Sequence, residues 1–255
     1  MQGSTQSQNL IDFKVNGRQF SFKMTYDSGN ACDNDLLTSF NIHGICEPEV
    51  VCAMERIVRP GDIVIDGGAN IGFFSIYLSY LVGPTGKVIA IEPGQNNIWK
   101  LEQNVRLNKL KNVEIVRKPL WKNHDKVTLY MRHEGGRNSL FPGETYQGNV
   151  QIEACTLADF PVARLVKLDI EGAEVAALVA ILCRAPFVIA ELNEKVGTDQ
   201  SDLRAKYPDT FLLDKDGYLP KLVPRQTRII AERQNTNILL STVEQVGHVW
   251  REVVA

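Results

Sequence analysis

The sequence predicts a doubly wound α/β fold on a mostly parallel sheet, with a short N-terminal β-hairpin and helix extension. Three observations carry this. From Asp62 onward, short apolar runs alternate with helix-length segments, the pattern of a parallel sheet covered by helices. The first of those strands runs directly into Asp66–Gly67–Gly68–Ala69–Asn70–Ile71–Gly72, and the next ends on Glu92. With 44% hydrophobic and 23% charged residues over 255 positions, the chain can bury a sizeable core.

In chain order, residues 1–9 are polar. Residues 12–15 and 20–22 read as short strands around Asn16–Gly17, a dipeptide suited to the positive φ angles of a two-residue hairpin turn. Residues 27–46 show no clear period. Pro48 suits a first helical turn, and Val50, Met54, Ile57 and Val58 follow at helical spacing until Pro60–Gly61. Residues 63–65 form a strand. Residues 73–81 form a helix that is apolar nearly all round, which predicts burial. Gly83–Pro84 stops it. Residues 88–91 and 113–116 are strands, and Ile98, Leu101 and Val105 mark the helix between them. Segment 118–160 breaks the alternation. Two strand-like runs, 127–130 and 150–152, flank a loop at 132–149 rich in Gly, Arg, Asn and Ser, a hairpin-like insertion at the binding edge. Alternation resumes with a strand at 165–170, a helix at about 173–183 and a strand at 187–190. A short helix near 201–206 and strand-like runs at 211–213 and 238–240 complete the chain. The expected organisation is an extension, 1–46, and a principal domain, 47–255.

Composition excludes several classes. Lys plus Arg is 28 and Asp plus Glu is 30, for a net charge of −2, so no general nucleic-acid partner is expected. Five cysteines without a CxxC pair read as reduced thiols, with no zinc spacing. The N-terminus lacks the basic and apolar regions of a signal peptide. The most apolar stretch, 71–82, is too short for a membrane span and carries Ser75 and Ser79. A cytoplasmic protein without membrane association is expected. The chain does not reveal its oligomeric state.

Chemistry concentrates at two places. The glycine-rich turn joins a strand to a helix, where free N–H groups and a partial positive charge favour an anionic ligand group. Glu92, at the end of the next strand, suits the hydroxyls of an adenosine ribose. A dinucleotide site wants GxGxxG, which Gly67, Ala69 and Gly72 meet only in part. S-adenosylmethionine wants an acid, then x-Gly-x-x-x-Gly, which Asp66, Gly68 and Gly72 satisfy. Asn70 lies within the same turn. An ordinary βα turn without a ligand is the third reading.

The second place is Leu165 to Glu174, LVKLDIEGAE. It brings Asp169, Glu171 and Glu174 to a strand end, where ligands of open α/β sheets bind. Lys167 alternates onto the same strand face as Asp169 and suits an ion pair with it. Glu174, in a first helical turn, has a structural reading as a cap.

These blocks in this order, the glycine turn, Ile91–Glu92–Pro93, and Lys167–Leu168–Asp169–Ile170–Glu171–Gly172–Ala173–Glu174, resemble the FkbM family of S-adenosylmethionine-dependent methyltransferases. The resemblance covers roughly residues 45–195, and the DIEGAE block is its specific part. Gly67 stands where a valine is frequent, and Leu168 where an isoleucine is frequent. The resemblance implies a Rossmann-like, seven-stranded class I methyltransferase sheet. It also implies O-methylation of a hydroxyl on a sugar, glycan or natural product, with S-adenosyl-L-methionine as the cofactor.

On that reading Asp66, Gly68, Asn70, Gly72 and Glu92 bind the cofactor. His133, Arg137 and Asn138 of the loop contact the acceptor. Asp169 leads and Glu171 follows as the group that draws the proton from the acceptor hydroxyl, with Lys167 beside them. A lesser arrangement has Asp169, Glu191 and Asn193 holding a divalent cation such as Mg²⁺. A nicotinamide-dependent oxidoreductase and a non-catalytic donor-binding module are the competing functions. The arginines 132, 137, 225, 228 and 233 read as scattered and solvated, or as contacts for a phosphorylated or nucleotide-linked sugar.

Overall fold

The computed structural model describes residues 7–15, 18–26, 30–132, 137–143, 146–179, 185–192, 207, 209–213, 221–223 and 236–241. Strands β1 (Ser7–Val15) and β2 (Arg18–Tyr26) pair antiparallel with Val15 opposite Arg18, so Asn16 and Gly17 alone separate them, as a two-residue turn requires. Helix α1 (Ala31–His43) follows, where the sequence shows no period. Its apolar stripe is narrow: Leu36 and Phe40 pack on the core, while Ile42 is 67% exposed. Its start is nonetheless marked by Asn30, whose Oδ1 accepts the Asp33 N–H at 3.2 Å. Helix α2 (Pro48–Ile57) begins at Pro48 as expected.

The main alternation is β3 (Ile63–Gly67), α3 (Phe73–Val82), β4 (Lys87–Ile91), α4 (Gln95–Leu107) and β5 (Val113–Val116). The insertion is a separate antiparallel pair, β6 (Lys126–Arg132) and β7 (Tyr146–Glu153). Then come β8 (Leu165–Leu168), α5 (Glu174–Val179), β9 (Phe187–Leu192), β10 (Asp209–Leu212), β11 (Lys221–Val223) and β12 (Thr236–Ser241). The short helix expected near 201–206 lies outside the described residues.

Eight strands form one sheet in the order β11-β10-β12-β9-β8-β3-β4-β5. From β9 to β5 neighbouring strands are parallel, and β12 runs antiparallel between β9 and β10. The expected seven strands are therefore present, and the short edge strand β11 adds an eighth. The chain steps from β3 to β4 on one side, whereas β8 lies on the other. This reversal opens a crevice at the C-terminal ends of β3 and β8, where ligands of such sheets bind.

Two apolar layers enclose the sheet. One combines α2, α3 and Phe22 and Met24 of β2; the other contains α5 and the opposite faces of β8, β9 and β12. The polar residues of the apolar helix α3 are satisfied internally, since Ser75 Oγ donates to Asp66 and Ser79 Oγ to Asn112, each at 2.6 Å. The N-terminal hairpin packs into this core. Asn104 of α4 accepts the Thr25 N–H at 2.7 Å and donates to the Ile71 carbonyl at 2.7 Å, linking β2 to the glycine turn. Lys100 and Asp33 join α4 to α1 at 2.6 Å. The sequence boundary at residue 46 is thus crossed by continuous packing. Cys46, Cys52 and Cys155 are free thiols. Among the described residues, no helix is long and apolar enough to cross a membrane.

Candidate active site

The glycine turn is tight because two neighbours press on it. Gly68 has φ 78°, and a Cβ there would lie 1.8 Å from the Asp169 carbonyl oxygen. The end of β8 can approach this closely only because residue 68 has no side chain. Gly72 has φ 98°, and its Cβ would lie 2.6 Å from Leu101 Cδ1, so this residue lets α4 pack. The Gly68 and Ala69 N–H groups donate to the Ile91 carbonyl at 2.9 and 3.0 Å, fixing the turn against β4. Asp66 is fully buried and accepts the Ser75 hydroxyl through Oδ2, while Oδ1 has no partner. Burial pushes its carboxyl up, against the pull of Lys167 and Ser75. Asp66 and Gly72 brace the turn from beneath rather than forming the cavity wall.

Glu92 ends β4 with its carboxylate already engaged. Oε1 accepts the Gly94 N–H at 2.9 Å and Asn97 Nδ2 at 3.1 Å; Oε2 accepts the Asn70 N–H at 2.9 Å. A carboxylate offers about four lone-pair sites, so these three bonds leave one. Burial raises its pKa, and the same three donors oppose the rise. Glu92 therefore both shapes the turn and faces the cavity.

The cavity has a volume of about 370 Å³ and lies at the C-terminal ends of the parallel strands. Its lining includes the apolar Ile91, Pro93, Leu120 and Leu129, with Glu92, Asn97, Gly68 and Asn70, and the acids Asp169, Glu171, Glu191 and Glu47.

Lys167 and Asp169 are held together, Nζ to Oδ2, at 3.3 Å. Lys167 is 3% exposed, and its ammonium lies 4.7 Å from the centre of the Phe74 ring. Burial opposes its charge, but Asp169, Asp66 and Glu47 outweigh burial and hold its pKa above the usual lysine value. Burial likewise opposes the Asp169 charge, yet Lys167 and a hydrogen bond from Glu191 keep its carboxyl below the ordinary range. Burial and the charge on Asp169 push the Glu191 carboxyl up, and the two side chains are hydrogen-bonded to each other. Glu171 has φ 55°, and burial and Asp169 raise its pKa. Glu174 lies apart from the cavity wall. Its Oε1 accepts the Ile170 N–H at 2.8 Å and the Gly172 N–H at 3.2 Å, and burial pushes its carboxyl up to about 7. It braces the turn that carries Glu171, in line with the structural reading.

The insertion reaches this site. Ser139 Oγ donates to the Glu171 carbonyl at 2.9 Å. Asn138 lines the cavity and accepts the Arg132 N–H at 3.2 Å. Arg137 lines it too, with Nη2 3.5 Å from Asp35 of α1. His133 lies outside the described residues. So does Asn193, and with it the full cation arrangement; the other two members, Asp169 and Glu191, are hydrogen-bonded to each other. Among the described residues no group of three His, Cys, Asp or Glu side chains is arranged to hold a metal ion. Glu47 and Asn237 also line the cavity, and no local sequence pattern marks either. Asn237 Nδ2 donates to Glu47 Oε2 at 3.0 Å and to Glu49 Oε1 at 3.3 Å.

The sheet order, the glycine turn and the acid at the end of β4 define a Rossmann-like fold with a nucleotide-type site. Residues 66–210 match the model of the methyltransferase FkbM domain, more than half of the chain, and the chain belongs to this family of S-adenosylmethionine-dependent methyltransferases. Among solved structures it is similar to methyltransferase FkbM from Methylobacillus flagellatus KT, at 18% identity and TM-score 0.47, covering 73% of this chain and 49% of that one. It is similar to precorrin-6y C5,15-methyltransferase from Geobacter metallireducens GS-15, at 14% identity and TM-score 0.43, covering 77% and 88%. It is also similar to a SAM-dependent O-methyltransferase from Thermotoga maritima, at 12% identity and TM-score 0.45, covering 91% and 77%. No curated protein sequence matches the chain significantly. Family membership decides between the sulfonium donor and the dinucleotide that the partial GxGxxG pattern also allowed.

Proposed function

We propose that this protein transfers a methyl group from S-adenosylmethionine to a hydroxyl of a neutral or cationic small molecule, such as a sugar, glycan or natural product. The observation that carries this reading is a single cavity lined both by donor-type cradle residues and by carboxyl groups. The cradle residues suit the donor. Gly68 lines the cavity, Asn70 Oδ1 is a buried acceptor without a partner, and Glu92 has one lone pair left for a ribose hydroxyl. The apolar lining suits an adenine ring. When bound, the donor supplies an electrophilic methyl group on sulfur.

The chain's own part is to orient the acceptor and take its proton. Methyl transfer needs the acceptor oxygen about 3 Å from the methyl carbon and in line with the breaking bond. Asp169, kept ionised by Lys167, is the hydrogen-bond acceptor that orients the hydroxyl. Glu171 stands beside it to contact the same molecule. The proton itself belongs on a carboxylate whose pKa lies near the working pH. The carboxyls of Asp35, Glu47, Glu92, Asp169, Glu171 and Glu191 face the cavity together with Arg137. The excess of acids over Arg137 favours a neutral or cationic acceptor over a phosphorylated or nucleotide-linked one.

A donor-consumption screen with neutral polyols, amino sugars and their phosphorylated counterparts tests the proposal, with NMR locating the new methyl group. Methyl on oxygen of an uncharged or cationic acceptor is expected. Methyl on nitrogen or carbon, or a preference for the phosphorylated series, contradicts it. Donor binding without transfer to any acceptor leaves the non-catalytic module.

The Glu92→Ala variant tests the donor end. It is expected to weaken S-adenosylhomocysteine binding at least tenfold, about 1.4 kcal/mol, through loss of an ionised acceptor. It also strands the N–H groups of Asn70 and Gly94, so a stability loss of about 1–3 kcal/mol accompanies it. Calorimetric titration and urea unfolding measure the two effects separately. Wild-type affinity in this variant removes Glu92 from the donor site.

A further inference from the structure

Among the described residues, the non-glycine residues with left-handed backbone are Glu47 at φ 45°, Asn70 at 50°, Lys109 at 54° and Glu171 at 55°. Lys109 follows the end of α4; the other three line one cavity. Backbone in this region is costly for residues with a Cβ, and such residues gather where function requires the geometry. Glu47 carries a second departure from local expectation. It occupies the N-cap position of α2, and its backbone carbonyl accepts the Val50 and Val51 N–H groups at 3.0 and 3.1 Å. Its side chain, however, makes no capping bond. The carboxylate instead meets Asn237 Nδ2 at 3.0 Å, and Asn237 pairs with Glu191 in the register of β12 and β9. A carboxylate has thus been turned from its own helix to the cavity and braced there by an amide.

We propose that Glu47 is the general base that receives the acceptor's proton, with Asn237 as its positioning residue; this rests on the hydroxyl reading above. A base held by a third group is the arrangement proton transfer needs. The other wall carboxylates are engaged differently. Asp169 is paired with Lys167, Glu191 is hydrogen-bonded to Asp169, and Glu92 accepts three donors. Glu171 has no comparable side-chain brace among the described residues. Both members of the Glu47–Asn237 pair lie outside the segment matched by the family model, residues 66–210.

The charges around Glu47 suit the role. Burial raises its carboxyl to about 7, the ammonium of Lys167 and the Asn237 amide lower it, and Asp169 and Glu49 raise it. Cys46 on the same segment and Glu191 on β9 are further titratable groups near it. In the step itself, the acceptor O–H bond breaks and its proton moves to the Glu47 carboxylate. The oxygen pair forms the new bond to the methyl carbon. The C–S pair stays on sulfur, leaving neutral S-adenosylhomocysteine, and Glu47 then returns the proton to solvent.

The experiment compares wild type, Glu47→Gln, Glu47→Asp and Asn237→Ala in kcat against pH, with S-adenosylhomocysteine affinity as the check on folding. The wild type is expected to lose activity on the acid side with a midpoint near 7. Glu47→Gln should lower kcat roughly 100-fold or more, abolish that limb and leave S-adenosylhomocysteine binding intact, and Glu47→Asp should restore part of the rate. Asn237→Ala removes a donor to the charged form, so its limb should move to higher pH, with activity recovered there. Carbon-13 NMR of the glutamate carboxyls, without acceptor, should show a resonance that Glu47→Gln removes and that titrates near 7. A Glu47 resonance titrating in the ordinary carboxylate range overturns the proposal. So does a hydroxyl-methylating enzyme whose rate and profile ignore Glu47→Gln. Transfer to nitrogen or carbon by the wild type overturns the hydroxyl reading instead, a result distinguishable from the other two.

Discussion

Gly68→Ala is expected to abolish measurable donor binding and to destabilise the fold strongly. The added methyl group would sit 1.8 Å from the Asp169 carbonyl oxygen, which is backbone and cannot swing aside as a side chain can. Residue 68 would also keep φ 78°, a conformation that alanine adopts at a cost. Left-handed strain of about 1–3 kcal/mol and overpacking of a similar size together give a loss of roughly 2–6 kcal/mol. Any relief must come from separating the turn from the end of β8, which pulls apart the two halves of the cavity. Urea unfolding and calorimetric titration with S-adenosylhomocysteine measure the two consequences. A stable Gly68→Ala protein that binds normally would show that the β8 end does not press on the turn.

Asp169→Asn should have the second-largest effect, and on rate rather than on folding. The amide keeps the shape but removes the charge that orients the hydroxyl, so kcat should fall by about 100-fold or more. Lys167 loses one counter-charge but retains Asp66 and Glu47. Glu191, relieved of the charge that raises its pKa, should ionise more readily and partly replace Asp169. Stability should therefore fall by less than the 3–5 kcal/mol typical of stripping a buried charge of its partner. Single-turnover methyl transfer and denaturation together check this. A variant with wild-type kcat makes Asp169 only a strand-end residue.

The part of the cavity proposed for the donor is legible in the sequence because its chemistry is local. A short apolar strand buried on both faces must end somewhere, and the residues just past its end reach the crevice. Gly68, Asn70, Glu92, Asp169 and Glu171 could all be placed by counting along β3, β4 and β8. Asp66 and Gly72 show the limit of that method. Their motif positions are right, yet one is buried under α3 and the other makes room for Leu101. Glu47 and Asn237 were beyond reach, since one precedes a helix in a stretch without period and the other lies on an antiparallel strand near the end of the chain. Only the sheet order, with β12 inserted beside β9, brings them together. Helix α1 shows no period in the sequence because, among its described side chains, Leu36 and Phe40 are the ones packed on the core, too narrow a stripe to stand out.

The central claim is that the glycine turn and Glu92 form a site for the methyl donor. Calorimetric titration of the wild-type protein with S-adenosylhomocysteine, and separately with NAD, tests it most directly. The account predicts saturable binding of S-adenosylhomocysteine at one site per chain, with about 2.7 kcal/mol of stabilisation at 100 times its Kd, and no binding of NAD. Saturable binding of NAD without binding of S-adenosylhomocysteine would contradict it.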